Sequence, residues 1–449
     1  MKFHIRTYGC QMNERDSEAV SSLLTRHSHN RVADESEAEI IIVNTCSVRA
    51  KAEDKALGKL GLLLAGKPDF PGRIVGAMGC MVQRLKSDIF EKIPGLHFAI
   101  GTHSLSHLPD VLDLVLAGKG PILDAGENGE RSDDMCGHME GSASMFVNIL
   151  LGCDRNCTYC VVPKVRGKEW SRPANKILEE IRSAVSKGAR EVILLGQSVM
   201  SYGRRNNVWP DNYVSGRGFK EPLPRLLEAV SKIDGLKRIR FTSGHSSGCT
   251  EELVRAMAEL PAVCEHLHLP LQSGSDRILK MMCRGYTTDD YRRSVERLRA
   301  AVPCIAITTD VIVGFPSETI EDFEITRSFM KEIGFDNSFI FKYSSRPSTP
   351  AAQWADNVPA DEKMRRNKVL LVDQDIRGLD INKKLVGNVV EVLVEGVSLR
   401  NTSRWAGRTR TNKIVAFEPV KDMSQGNPVN VKVERAMAQT LYGQVVNHD

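Results

Sequence analysis

No stretch of this 449-residue chain approaches the ~18 uninterrupted apolar residues of a membrane-spanning helix. Its start, MKFHIRTYGCQMN, lacks the apolar core of a secretory signal. A cytoplasmic location and no membrane partner are therefore expected. Charge of one sign is also missing: 61 Lys and Arg against 56 Asp and Glu leave only +5, so any affinity for nucleic acid has to come from local clustering. There is no internal repeat and no low-complexity tract. What remains is ordinary globular composition, 26% charged and 41% hydrophobic, with room for two or three domains of roughly 100–200 residues. The informative residue is cysteine, of which there are 11. In a reducing compartment clustered cysteines point to metal or catalysis, and isolated ones to small buried hydrophobes.

Residues 1–120 alternate β-rich runs (KFHIRTYG, EIIIVNT, RIVGAMG) with helical sequence, the ordering of a parallel α/β domain. A Gly-, Asp-, Glu- and Ser-rich stretch over 121–142 reads as a linker. Residues 143–379 repeat strand then helix six times. The expected strands are Met145 to Leu151, Glu191 to Leu195, Arg238 to Thr242, His266 to Leu271, Ile305 to Val313 and Ser338 to Tyr343. Polar and Gly-rich residues recur just after these strands, which favours an open (β/α)6 barrel with its site at the C-terminal strand ends over a doubly wound sheet. Residues 380–446 alternate in strand fashion between turns, as in a small OB-like all-β barrel. The fold class is thus α/β with a C-terminal β-barrel.

The run GCDRNCTYC places Cys153, Cys157 and Cys160 four and three positions apart. Zinc wants a fourth ligand from a second CxxC or a histidine pair, and neither follows. Three thiolates on a four-iron cubane leave one iron open to a small chelating ligand. CxxxCxxC with an aromatic before its last cysteine, after the first strand of a six-unit barrel, resembles the radical S-adenosylmethionine superfamily. That resemblance implies that Cys153, Cys157 and Cys160 hold a [4Fe-4S] cluster whose open iron binds S-adenosylmethionine, cleaved reductively to a 5′-deoxyadenosyl radical. It further implies nucleotide contacts at Gly196 and Gln197, at Gln272 and Ser273, and at Gly314 and Pro316. For each of these the bland reading is a turn residue closing a barrel loop.

Cys10, Cys46 and Cys80 are isolated, and each alone would pass for a buried hydrophobe. Yet each ends an expected parallel strand (TYGC, VNTC, MGC), and parallel strands end on one edge, so the three can converge. Thr7, Asn44 and Gly76 to Gly79 keep that approach tight, and Gly9 and Gly79 allow the backbone to pass close. YGCQMNERDSE, VNTCSVR and GCMVQR resemble the amino-terminal domain of the methylthiotransferases. The resemblance implies a second, auxiliary [4Fe-4S] cluster on these cysteines that handles the inserted sulfur.

RNTSRWAGRTRTNK carries Arg400, Arg404, Arg408, Arg410 and Lys413 with Trp405 and no acid. Basic groups interleaved with an aromatic on a small β-barrel suit RNA phosphates and bases; the plain alternative is a solvated charged hairpin. The segment resembles the TRAM RNA-binding module of tRNA-modifying methylthiotransferases. YGCQMN and NTCSVR are most similar to the branch that acts on N6-isopentenyl (dimethylallyl) adenosine beside the anticodon of tRNA. The implied partners are a tRNA anticodon stem-loop and an electron donor that the sequence does not identify, and the chain is expected to be a monomer. The alternatives are an acceptor carrying threonylcarbamoyl adenosine, or an RNA-binding iron-sulfur or zinc protein without catalysis. Lys164 and Val165 in VVPKVRG, Met200 in GQSVMSY and the lack of His-Pro in FTSGHSSGCT depart from the family pattern on the substrate side. The loop over 203–222, with Arg204, Arg205, Trp209 and Tyr213, could close over RNA or be a solvated loop. His266 and His268 share one face of a strand and read as barrel-lining hydrogen bonders. Cys136, Cys249, Cys264, Cys283 and Cys304 belong to no ligand set.

Overall fold

The computed structural model describes residues 1–48, 50–65, 72–126, 137–138, 142–210, 213–421 and 423–446. The chain divides into two compact units: Met1–Met139 with Leu150–Arg155 and Cys160–Arg172, and Glu140–Ile149 with Asn156–Tyr159 and Pro173–Asp449. No helix among the described residues is long and apolar enough to cross a membrane.

In the first unit six parallel strands, β1 (Lys2–Tyr8), β2 (Asn30–Arg31), β3 (Ile40–Thr45), β4 (Ile74–Gly79), β5 (Phe98–Ile100) and β6 (Ile122–Asp124), lie in the order β2-β1-β3-β4-β5-β6. β3 and β4 are buried at every position, which is why IIIVNT and IVGAMG read as continuous apolar runs. Ile40, Ile42, Ile74 and Met78 face Val20 and Leu24 of the helix Gln11–Arg26 and Leu108, Val111 and Leu112 of the helix Leu108–Leu116. Val43, Val75 and Ala77 pack on the opposite face with Ala56, Leu60 and Met81. A Cβ on Gly76 would meet the Phe98 ring at 2.1 Å. Gly76→Ala is therefore expected to cost about 1–3 kcal/mol by overpacking, read as a lowered melting temperature in circular dichroism.

Two boundaries differ from the sequence reading. Residues 122–124, expected as linker, form β6 and pair with β5, because ILD supplies one more short edge strand. Positions 127–136 and 139–141 of the expected linker, Cys136 included, lie outside the described residues. The segment after the GCDRNCTYC loop, expected with the barrel, groups with the first unit. There β8 (Leu150–Leu151) pairs antiparallel with β9 (Trp170–Ser171), and Val161 and Val165 pack on Cys80. Val165, one of the departures noted above, is wholly buried in that contact.

The second unit holds β7 (Ser144–Asn148), β10 (Glu191–Leu195), β11 (Arg238–Phe241), β12 (His266–His268), β13 (Ala306–Val313) and β14 (Asn337–Lys342). They form two parallel three-stranded sheets, β7-β10-β11 and β12-β13-β14, joined by a parallel bridge between Ile239 and Val263. Among the described residues β7 and β14 do not pair, so the (β/α)6 barrel is open. His266 and His268 both bond the Thr308 hydroxyl, at 3.1 and 2.9 Å, the lining role expected of them. Met200 meets the other departure: its sulfur accepts the His245 N–H at 3.3 Å, and a Cβ on Gly248 would stand 2.5 Å from its Cβ.

After the helix Ala360–Lys383, β15 (Val389–Val397), β16 (Trp405–Thr409), β17 (Ile414–Phe417), β18 (Pro428–Ala436) and β19 (Thr440–Val445) close a barrel in the order β15-β16-β17-β19-β18. Alternate residues, among them Val392, Val394, Val415, Phe417, Val431 and Val433, fill its core. This small barrel sits on the N-terminal ends of the (β/α)6 strands. Arg238 and Arg240, in β11, donate to the carbonyls of Arg408, Thr409 and Arg410 at 2.6–2.7 Å. Glu265, just before β12, pairs with Arg410 at 2.7 Å, and Asp336, just before β14, with Lys413 at 2.9 Å.

Candidate functional site

The strand order of the first unit reverses between β1 and β3, and in doubly wound sheets such a reversal opens a crevice at the C-terminal strand ends. Cys10 follows β1, Cys46 follows β3 and Cys80 follows β4. Side-chain locks fix the three strand ends to one another. Asn13 Nδ2 donates to Asn44 Oδ1 at 3.1 Å and to the Thr45 carbonyl at 3.2 Å, and Asn44 Nδ2 returns a bond to the Asn13 carbonyl at 2.8 Å. Thr45 Oγ1 donates to the Met78 carbonyl at 2.7 Å. Asn13 Oδ1 also accepts the Cys10 N–H at 3.2 Å, so the Asn of YGCQMN caps the helix Gln11–Arg26, which starts right after Cys10. Gly79 has φ +101, and a Cβ there would stand 2.6 Å from Asn44 Oδ1 and 2.7 Å from the Thr45 carbonyl; only glycine fits.

The three thiols share one electrostatic neighbourhood. Cys10 Sγ donates to Asn13 Oδ1 at 3.4 Å, and the neighbouring Cys46 lowers the Cys10 thiol to about 6 against the opposing effect of burial, with the Arg166 guanidinium and backbone bonds adding to the lowering. Cys46 is pushed up by the neighbouring Cys10 and by burial, and burial pushes Cys80 up. Arg166 Nε donates to Cys80 Sγ at 3.2 Å while Nη2 donates to Asp16 Oδ2 at 2.6 Å. Three cysteines at one sheet edge, with the Arg166 guanidinium against the sulfur of the third, are a fitting donor set for a thiolate-ligated iron cluster. Among the described residues no three His, Cys, Asp or Glu side chains stand as ligands of one metal ion. The thiolates of a cubane go to different irons, a wider arrangement.

In the GCDRNCTYC loop Gly152 has φ +76, and a Cβ there would run into the Lys168 carbonyl at 2.1 Å, so only glycine can precede Cys153. The Cys153 N–H donates to the Gly167 carbonyl at 3.1 Å. Within the second unit Thr158 Oγ1 donates to the Met281 carbonyl at 2.9 Å, and Tyr159 packs against Ile278, Met282, Phe315 and Tyr343. The expected aromatic before the last cysteine is thus an apolar anchor. Arg284 Nη1 donates to Cys157 Sγ at 3.3 Å. Arg166 and Arg284 were not singled out from the sequence. Their signal is slight, an Arg-Gly pair in VRG and in CRG.

The expected nucleotide contacts divide. Gly196 and Gln197 follow β10 as expected. Gln272 adopts φ +71, its N–H donating to the Asp310 carbonyl at 2.8 Å and its carbonyl accepting from Ile312 at 2.9 Å. Ser273 is fully buried, its hydroxyl bonded to Thr326 Oγ1 at 3.2 Å, a purely internal role. The Gly314 N–H donates to Glu318 Oε2 at 2.5 Å, and Pro316 follows in the same buried turn.

The expected basic surface is divided too. Arg410 makes a two-oxygen pair with Glu265, at 2.8 and 2.7 Å, and Lys413 is held by Asp336. Both belong to the junction between the barrels. Arg408 pairs with Glu395 at 3.0 Å, and Trp405 leans on the small barrel's core. Arg400 is exposed, and the guanidiniums of Arg404 and Arg435 lie 5.4 and 4.4 Å from the Tyr442 ring, an aromatic and cationic patch of which Arg435 and Tyr442 were missed in the sequence because they lie on β18 and β19, outside the basic run. In the 203–222 loop Trp209 is buried, stacks on Tyr213 at 4.0 Å and has the Arg225 guanidinium 5.0 Å away. These aromatics serve internal packing.

Comparison with known proteins places this geometry. Residues 147–330 match the model of the radical SAM superfamily, 2–101 that of Uncharacterized protein family UPF0004, and 383–446 that of the TRAM domain. The tRNA-2-methylthio-N(6)-dimethylallyladenosine synthase of Carboxydothermus hydrogenoformans is 41% identical over 447 residues, covering 99% of each chain. The protein of that name from Opitutus terrae is 41% identical over 476 residues, covering 99% of this chain and 97% of its own. The fold is shared with the radical S-adenosylmethionine methyltransferase TsrM of Kitasatospora setae, TM-score 0.57 at 13% identity, over 78% of this chain and 75% of that one. The chain belongs to the tRNA-2-methylthio-N6-dimethylallyladenosine synthase family, enzymes of the radical S-adenosylmethionine superfamily that work with [4Fe-4S] clusters.

Proposed function

We propose that this methylthiotransferase modifies C2 of N6-dimethylallyl adenosine beside the anticodon of tRNA, with Cys153, Cys157 and Cys160 holding one [4Fe-4S] cluster and Cys10, Cys46 and Cys80 the other. The observation that carries the reading is the second set: three cysteines from distant sequence that follow three adjacent parallel strands at one sheet edge. When bound, S-adenosylmethionine and the two clusters supply the radical that can remove hydrogen from an unactivated aromatic carbon, which side-chain acids and bases cannot do, and the sulfur that replaces it. The chain's own part is positional. Gly152 and Gly79 let the backbone close on the cysteines, Arg284 and Arg166 place guanidiniums against one sulfur of each set, and Gly196, Gln197, Gln272, Gly314 and Pro316 line the strand ends where the nucleotide would lie. A single chain carries both sets, in keeping with a monomer acting in the cytoplasm, its electrons coming from a separate donor. The test is mass spectrometry of tRNA nucleosides from cells with and without the gene. The 2-methylthio nucleoside should vanish in the deletion, its unmodified precursor should accumulate, and the gene should restore it; persistence in the deletion sinks the acceptor assignment.

Arg400, Arg404, Arg435 and Tyr442 are proposed as the contact with the tRNA. Arg404→Ala with Arg435→Ala is expected to weaken tRNA binding and to flatten the log–log salt dependence by about 1 for each arginine. Arg410→Ala should leave that slope alone and lower the melting temperature instead. Binding isotherms at several salt concentrations decide it.

A further inference from the structure

We propose that Arg166 is a positioning residue for the auxiliary cluster, setting its charge balance through Cys80 and tying its ligand set to the loop that carries the radical cluster. This rests on the reading that Cys10, Cys46 and Cys80 hold that cluster. Arg166 and Asp16 are each only 7% exposed, and their 2.6 Å ion pair fixes the guanidinium plane so that Nε, a separate donor, faces Cys80 Sγ at 3.2 Å. Packing alone does not ask for this: Val161 and Val165 already seat the segment on Cys80. A lysine could not do the same, because a guanidinium offers two donors in one rigid fork and an ammonium a single point charge. Asp16 lies on the helix capped at Cys10, so the ion pair spans from the element that carries the first cysteine to the sulfur of the third. The next residue extends the connection. Gly167, at φ +71, turns its carbonyl onto the Cys153 N–H, so Arg166-Gly167 touches one cysteine of each set. Hydrogen bonds to thiolate sulfurs and nearby positive charge stabilise the reduced, more negative state of an iron-sulfur cluster. Removing Arg166 should therefore make the auxiliary cluster harder to reduce.

The measurement uses the full chain carrying C153A, C157A and C160A, reconstituted anaerobically with iron and sulfide so that the auxiliary cluster alone remains, and a redox titration followed by electron paramagnetic resonance. R166Q is expected to keep about four irons and to shift the one-electron equilibrium at least tenfold towards the oxidised form, 59 mV. R166K should fall between R166Q and the parent. Full iron content with an unchanged potential in R166Q overturns the proposal. If R166Q loses iron, R166K and D16N are read in its place, and a potential equal to the parent's in both overturns it equally. The cluster assignment fails separately: adding C10A, C46A and C80A to the same background should abolish iron binding, and retention of four irons would refute that assignment and with it the role of Arg166.

Discussion

Replacing Cys153, Cys157 and Cys160 together by alanine is expected to leave a folded chain that binds about four irons instead of about eight, makes no 5′-deoxyadenosine from S-adenosylmethionine and reductant, and forms no methylthio product. Replacing Cys10, Cys46 and Cys80 should also halve the iron, yet leave 5′-deoxyadenosine formation in place while methylthiolation falls to background. The contrast follows from the architecture. The first set sits in a loop fixed by contacts that alanine does not disturb, the Gly152 turn, the Thr158 bond to Met281 and the Tyr159 anchor. The second set is fixed by Asn13, Asn44 and Thr45 rather than by its own sulfurs. Each triple variant therefore keeps the scaffold and removes one donor set. Stoichiometric zinc in place of iron in the parent chain, or 5′-deoxyadenosine from the first triple variant, would contradict the division of labour.

Arg240→Met is expected to destabilise the protein by about 3–5 kcal/mol, the effect of stranding one partner of a buried ion pair. Arg240 Nε bonds Glu191 Oε2 at 2.8 Å with both side chains nearly inaccessible, 3% and 2% exposed. Its other donors go to the Thr409 and Arg410 carbonyls. Removing the guanidinium leaves Glu191 with the Ser144 hydroxyl, at 2.9 Å, and uncaps two backbone oxygens. Arg240→Met combined with Glu191→Leu should recover part of the loss, because a buried pair replaced by apolar groups costs far less than a buried pair broken. Heat-unfolding midpoints of the single and double variants measure this. A loss below about 1 kcal/mol would place the pair among the weak surface bridges.

All six (β/α)6 strands were legible in the sequence, Glu191–Leu195 at its expected bounds and the others with ends shifted by at most three residues, because a parallel strand buried on both faces is a short apolar run bounded by turn residues. β2, β5 and β6 escaped because two or three residues carry no period. Grouping of the segment after Cys160 with the first unit also escaped: it depends on Val161 and Val165 finding Cys80, a contact across some eighty positions that no local pattern marks. Of the basic run, sequence shows charge but not its partners. Arg410 and Lys413 read as phosphate binders in the sequence, but Glu265 and Asp336, far away in the chain, stand opposite them. Tyr442 lies outside the run altogether and joins Arg404 only through barrel closure.

The small barrel's seat on the N-terminal strand ends also has a consequence for the size of the acceptor. β13 alone, eight residues long, spans about 26 Å at ~3.3 Å per residue, and the candidate nucleotide contacts lie at its far end. On the proposed contacts, an RNA held by Arg404, Arg435 and Tyr442 while presenting a base to the open barrel would have to reach from the small barrel to the opposite ends of these strands. The (β/α)6 barrel then acts as a caliper. On that reading a short hairpin would touch one jaw and bind with that jaw's affinity, whereas a rigid acceptor of the right reach would engage both and gain from their effective concentration.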